Sequence, residues 1–149
     1  ALLCKKSKAY GYLLFLDLDN FKPINDQFGH SVGDYILQYF AKRIQDSTKS
    51  NDTVTRYGGD EFLILSGTPW ESEQQARYKA YEMASRIQEQ MLSPIVFDRR
   101  NFILKVSIGI SVFGGDVSNP YTIIDNADQA MIEAKKKGGN TIHFLKSEL

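Results

Sequence analysis

Apolar residues along this chain follow two spacings, and the switches between them mark its elements. Tyr12-Leu13-Leu14-Phe15-Leu16 is unbroken and passes into Asp17-Leu18-Asp19, the pattern of a strand covered on both faces whose end opens at a cleft. Alternation along a strand puts Asp17 and Asp19 on one side and Leu16 and Leu18 on the other. Pro23 suits the first turn of a short helix that Gly29 ends. From Gly33 to Ile44, the residues Ile36, Leu37, Phe40, Ala41 and Ile44 recur at helical spacing as a core-facing stripe, with Asp34 at the helix start. Val54-Thr55 and Leu63-Ile64-Leu65 flank Gly58-Gly59, which predicts a hairpin whose glycines take positive φ.

A long helix is expected from about Glu71 to Met91, with Ala76, Ala80, Met83 and Ile87 inward. Ile95-Val96-Phe97 and the stretch from Phe102 through Val112 read as strands. A last helix begins near Pro120 and runs to Lys137, burying Ile123, Ile124, Ala127, Ala130, Met131 and Ala134. Gly138-Gly139 ends it, and Thr141-Ile142-His143-Phe144 reads as an edge strand on which His143 is inert. Elements alternating in this way give an α/β or α+β sheet sandwiched by helices.

Composition narrows the setting. At 149 residues the chain fits one domain able to bury its own core. Eighteen basic and eighteen acidic residues cancel, so nothing favours nucleic acid or an anionic membrane. Cys4 is the single cysteine, which excludes an internal disulfide framework and suits a reducing compartment. With no spanning segment and no signal pattern, the domain is expected in the cytoplasm without direct membrane contact. Ala1 and the polar Lys5-Lys6-Ser7-Lys8 opening read as the edge of a piece of a larger protein.

The acids carry the candidate chemistry. Asp60 and Glu61 follow the twin glycines at the lip of a buried strand, where adjacent carboxylates are costly unless a cation meets them, a metal ion being the obvious one. A turn without Cβ atoms also lets a nucleotide approach the backbone. Asp17 lies deep in an apolar run, where an unpaired carboxylate is costly, whereas Asp19 is expected to N-cap the following helix. Lys22, a surface charge by itself, would hold a phosphate together with the free amides of that helix's first turn. Asp34 either neutralises a helix dipole, worth about 0.3–1 kcal/mol, or reads a purine edge.

Three blocks stand in order: Leu16-Asp17-Leu18-Asp19-Asn20-Phe21-Lys22 with Ile24-Asn25-Asp26 and Gly29-His30; Arg56-Tyr57-Gly58-Gly59-Asp60-Glu61-Phe62; and Val106-Ser107-Ile108-Gly109 with Ala127-Asp128-Gln129-Ala130-Met131 and Ala134-Lys135. Together they closely resemble the GGDEF family of diguanylate cyclases over nearly the whole chain, residues 1–149 forming one such domain. The resemblance implies a mainly antiparallel five-stranded sheet flanked by helices, similar to adenylyl cyclase and polymerase palm domains. It also implies bacterial second-messenger signalling, in which two GTP molecules become cyclic di-GMP and two pyrophosphates. Asp17, Asp60 and the Leu18 carbonyl would ligate Mg²⁺ or Mn²⁺, with Glu61 a further ligand or the acceptor of the 3′-hydroxyl proton. Asn25 and Asp34 match the guanine readers. The amides of Phe21 and Lys22 with the side chains of Lys22 and Lys135 match the groups that hold phosphates. Gly58 and Gly59 would give the nucleotide room. Each domain would bind one GTP, so catalysis would need a homodimer.

This chain departs from the family pattern in places. Gly139 stands where the resemblance expects a phosphate-binding arginine, a loss on the order of 1.5–3 kcal/mol if nothing replaces it; restoring the arginine is the corresponding rescue. Ile132 replaces a tyrosine. Lys49-Ser50-Asn51-Asp52 stands where Arg-x-x-Asp would form a product-inhibition site, with Arg86 as its secondary arginine, and lysine lacks the planar bidentate grip. The segments around Tyr10-Gly11-Tyr12 and Asn140 to Phe144 resemble members that carry an EAL phosphodiesterase domain downstream. Two functions follow: an active cyclase, favoured by intact Gly58-Gly59-Asp60-Glu61-Phe62, or a GTP-binding module that regulates a neighbouring domain, favoured by Gly139.

Overall fold

In a computed structural model, which describes residues 9–115 and 119–145, the unbroken apolar run at the start becomes the central strand. That strand, β1 (Tyr10–Leu18), pairs antiparallel with β3 (Glu61–Leu65) on one side and β6 (Val106–Gly114) on the other. β2 (Thr53–Arg56) extends the sheet beyond β3, and β7 (Ile142–Phe144) adds a parallel edge on β6, for the order β2-β3-β1-β6-β7. Four helices cover it: α1 (Phe21–Phe28), α2 (His30–Ser47), α3 (Glu73–Gln90) and α4 (Pro120–Lys136). The fold is thus α+β, a five-stranded mainly antiparallel sheet flanked by helices, as expected. Cys4 and the Lys5 to Lys8 run lie outside the described residues.

Alternation along β1 sorts the core into two layers. Tyr12, Leu14, Leu16 and Leu18 face α2 and α3, packing with Ile36, Phe40, Met83 and Ile87. Leu13 and Phe15 face α4, packing with Ile123, Ala127 and Met131. Asp17 and Asp19 continue this second face beyond the apolar part, so the helix that covers Leu13 and Phe15 also runs past the two acids. Gly109, opposite Phe15 on β6, makes that approach possible: a Cβ there would collide with the Ala127 carbonyl and the Met131 amide of α4.

Four expectations are corrected. The stretch from Phe102 to Val112 is two strands, because exposed Ile103 and Lys105 break the pairing; β5 (Arg100–Phe102) instead forms a separate hairpin with β4 (Ile95–Phe97). That hairpin turns at Asp98 and Arg99, both at positive φ (49° and 64°), with no glycine to announce it. Asp19 is not the N-cap of α1; Asn20 holds that position at φ 57°, with no side-chain capping bond. Asp34 sits in the second turn of α2, which begins at His30. Gly58 and Gly59 take no positive φ, which among the glycines belongs to Gly29, Gly138 and Gly139.

Overpacking predicts the worth of Gly109. Gly109→Val should lower the free energy of unfolding by roughly 1–3 kcal/mol by forcing α4 off the sheet, measured by urea denaturation against the parent domain.

Candidate active site

The site forms where β1 ends beside the β2–β3 hairpin. Asp17 is opposite Glu61 in the β1–β3 register and opposite Ser107 in the β1–β6 register. The Leu18 amide donates to the Asp60 carbonyl at 3.3 Å, which ties the acid after the twin glycines to the strand end. The hairpin is further held by Tyr57 and Gly58 amides donating to the Glu61 carbonyl at 2.8 and 3.3 Å. Sequence reasoning missed Arg56 here. Its guanidinium Nε reaches the Gly58 and Gly59 carbonyls at 3.2 and 3.1 Å, and its terminal nitrogen donates to Gly59 at 2.6 Å. The arginine thus fixes the turn through its own neighbours two and three residues on, a contact legible from spacing alone.

The twin glycines divide their work. A Cβ at Gly58 would collide with the Glu61 carboxylate, so that glycine lets Glu61 fold back over the turn; Gly59 faces open space. In front of Gly59 lies a cavity of about 320 Å³ lined by Phe21, Lys22, Asn25, Asp34, Leu37, Arg56, Gly59 and Asp60. Six of the residues singled out from sequence meet there: Phe21, Lys22, Asn25, Asp34, Gly59 and Asp60. Asn25 is oriented by the His30 ring, with Nδ2 3.2 Å from Nδ1. Gly33 matters too, since a Cβ on it would collide with Asn25 Oδ1. Uncapped first-turn amides of α1 open beside the cavity, where an anion would complete them. A larger groove of about 540 Å³ adjoins through shared Asp34, Leu37 and Arg56, and one of about 480 Å³ between α4 and β7 contains none of the candidate acids. Chemistry, rather than size, picks the site.

Next to the cavity, Asp17, Leu18 and Lys135 form a charged cluster. Lys135 Nζ lies 3.2 Å from Asp17 Oδ2 and 3.5 Å from Asp19 Oδ1, and donates to the Leu18 carbonyl at 3.3 Å. Asp19 Oδ1 accepts from Ser107 Oγ at 2.7 Å and Oδ2 from the Asn140 amide at 2.6 Å. It therefore clasps the end of α4 onto β1 and β6, which is why it does not cap α1. Asp17 Oδ1 is buried with no hydrogen-bond partner. Burial and the neighbouring Asp60 charge push the Asp17 carboxyl up to about 7 despite Lys135. Burial, Asp128 and Asp60 raise Glu61, and burial and Asp125 raise Asp128.

An orphaned buried carboxylate oxygen, a backbone carbonyl and a second acid are hard donors that fit a divalent cation such as Mg²⁺. Among the described residues no group of three or more His, Cys, Asp or Glu is placed to hold a metal ion. Gly139 sits at φ 74°, and a Cβ there would be 3.0 Å from Asp19 Oδ2, so an arginine at this position is strained in this turn. The suspected product site is separate, with Lys49 and Asp52 beside a cavity of about 310 Å³. Asp52 accepts there from the Lys49 amide at 2.9 Å and the Gly67 amide at 3.1 Å. Arg86 is turned inward, donating to the Ser47 carbonyl at 3.1 Å and reaching Met83 Sδ at 3.4 Å.

Asp17 gives a pH signature. Its folded value, about 7, lies above the ordinary 3.8, so it contributes stability that is complete below the lower value and lost as pH rises through the higher one. Melts in EDTA should show this loss from acid to neutral pH, and Asp17→Asn should remove it, raising Tm at alkaline pH by roughly 2–4 °C.

The fold recurs in known proteins. The GGDEF domain of YfiN from Pseudomonas aeruginosa superposes with a TM-score of 0.87 at 31% identity, over 97% of this chain and 88% of that one. The bifunctional diguanylate cyclase/cyclic di-GMP phosphodiesterase MucR of Pseudomonas aeruginosa is 36% identical over 92% of this chain, which spans 19% of that protein. Diguanylate cyclase A of Treponema denticola is 34% identical over 92% of the chain, here 36% of the relative's length. Residues 2–141 match the family described as diguanylate cyclase, GGDEF domain, and with its acids, twin glycines and sheet order in the places described, the chain belongs to the GGDEF family.

Proposed function

We propose that the domain condenses two GTP molecules into cyclic di-GMP, one GTP per domain of a homodimer, with Mg²⁺ or Mn²⁺ as cofactor. The observation that carries this reading is the cavity that gathers Lys22, Asn25, Asp34, Gly59 and Asp60 beside the unpartnered Asp17 oxygen. Asp34 would accept from N1–H and the 2-amino group of guanine, donors that adenine lacks, with Asn25 supporting the same edge. The amides of Phe21 and Lys22 and the Lys22 and Lys135 ammonium groups would hold the triphosphate. Asp17, Asp60 and the Leu18 carbonyl would hold the cation, which when bound would neutralise charge on the α-phosphate.

In each transfer a ribose 3′-oxygen bonds to the partner nucleotide's α-phosphorus, and the bond from that phosphorus to the pyrophosphate oxygen breaks. Glu61 would receive the 3′-hydroxyl proton. Its raised proton affinity, from burial beside Asp128 and Asp60, favours this role. Because the nucleophile comes from one domain and the leaving group from the other, a monomer would bind without turning over.

A regulatory GTP-binding module is the second reading, favoured by Gly139 in place of the arginine. The turn geometry there argues against a simple rescue: Gly139→Arg is expected to distort the Asp19 clasp rather than restore a phosphate contact. Among the described residues no helix is long and apolar enough to cross a membrane.

Incubation with GTP and Mg²⁺ at high protein concentration should yield cyclic di-GMP by chromatography; GTP binding without product would favour the regulatory reading. Glu61→Gln should lower kcat by roughly 10²–10⁴-fold, whereas Asp34→Ala should raise KM for GTP about 10–100-fold and weaken discrimination against ATP. Feedback should be weak, because Asp52 and Arg86 are already engaged within the domain. Rates should hold steady as cyclic di-GMP is added, and a steep fall would overturn that point.

A further inference from the structure

One ammonium group already contacts the oxygens to which the metal is assigned. Lys135 Nζ lies 3.2 Å from Asp17 Oδ2 and 3.3 Å from the Leu18 carbonyl, with Asp19 Oδ1 as a third neighbour at 3.5 Å. The ammonium thus donates to the Leu18 carbonyl and is ion-paired with both carboxylates. The distances are longer than the roughly 2.7–2.9 Å of a tight charge-assisted bond. It is a loose hold on a flexible stem.

We propose that Lys135 is the resident counter-ion of this site. It takes the cation's place in the nucleotide-free domain and must leave when the metal arrives, so that metal and nucleotide bind as a coupled pair. The inference rests on the metal and GTP reading above and adds a role for Lys135 before substrate arrives.

A lysine ammonium and a divalent ion cannot share Asp17 Oδ2 and the Leu18 carbonyl, since like charges at that separation repel strongly away from bulk water. The α4 backbone that carries Lys135 is anchored between buried Met131 and Ala134 on one side and the Asp19 clasp on the other, so only the side chain is free to move. Among the described residues its ion-pair partners are Asp17 and Asp19, so on losing Asp17 it keeps the longer contact to Asp19, whose two oxygens already accept from Ser107 and Asn140. A triphosphate beside the first turn of α1 would receive it. Metal alone therefore pays for evicting the lysine, whereas metal with nucleotide does not. Reciprocity then requires the metal to strengthen nucleotide binding by the same factor.

The test compares the parent domain with Lys135→Met and Lys135→Arg, using Mn²⁺ alone, followed by electron paramagnetic resonance. Lys135→Met is expected to bind Mn²⁺ about tenfold more tightly than the parent, within the usual range of coupling between sites, and Lys135→Arg, which keeps the charge, no more tightly than the parent. Equal or weaker Mn²⁺ binding by Lys135→Met overturns the proposal. Should that variant not fold, ¹⁵N spectra of the parent's lysine ammonium groups decide. An ordered Lys135 signal in EDTA that shifts on adding Mg²⁺ with 3′-deoxy-GTP supports the role, and a disordered signal in EDTA refutes it. The nucleotide reading fails separately, if 3′-deoxy-GTP with Mn²⁺ is not taken up by the parent while the Mn²⁺-only difference persists.

Discussion

The contact on which this molecule turns is the meeting of Lys135 with the acids at the end of β1. The central strand is apolar on both faces until Asp17, and an acid in that position is tolerated only with a cation beside it. Lys135 provides one at 3.2 Å, yet burial and Asp60 still leave the Asp17 carboxyl with a strongly raised proton affinity. The counter-charge offsets only part of the cost. Several features of the fold serve this contact. Gly109 lets α4 press against the sheet, Asp19 clasps the helix end through the Asn140 amide, and Ser107 ties the clasp to β6.

On the other side of the site, order comes from backbone rather than charge. Arg56 spends its guanidinium on the Gly58 and Gly59 carbonyls, and the Leu18 amide holds the Asp60 carbonyl. The hairpin is thereby fixed before any ligand arrives, which spares binding the entropy of ordering a loop. Gly59 leaves the space in front of it open, and Gly58 makes room for Glu61. Gly58 is needed for space rather than for left-handed backbone, which is a different reason from the one a hairpin motif suggests.

Much of this was legible in the residues, and what was not has a common cause. The two faces of β1, the stripe Ile36, Leu37, Phe40 and Ile44, and the buried side of α4 follow from period alone, because burial acts on every residue of an element at once. The six cavity residues were legible as a set only through their motif blocks. Asp19 misled because its partners, Ser107 and Asn140, lie 88 and 121 positions away, and no local rule sees them. The β4–β5 hairpin misled because Asp98 and Arg99 make its turn without glycine. Gly33 and His30 escaped for the same reason as Asp19: their roles concern Asn25, and only the packing of α1 against α2 brings them to it.

Three aspartates in this domain show how an acid's partners separate structure from site. Asp52 has each oxygen bonded to a backbone amide, so it closes a turn. Asp19 has each oxygen satisfied by a hydroxyl or an amide and joins three elements. Asp17 has one oxygen on a lysine and the other buried with nothing, although it lies deepest in the apolar run. An unmade bond to a buried carboxylate oxygen costs on the order of 1–3 kcal/mol, more for a charged group. A domain that needed Asp17 only for its fold would be more stable with an apolar residue there. The proposed cation would offset that cost on arriving with substrate, whereas at Asp52 the two backbone amides already give both carboxylate oxygens a structural partner.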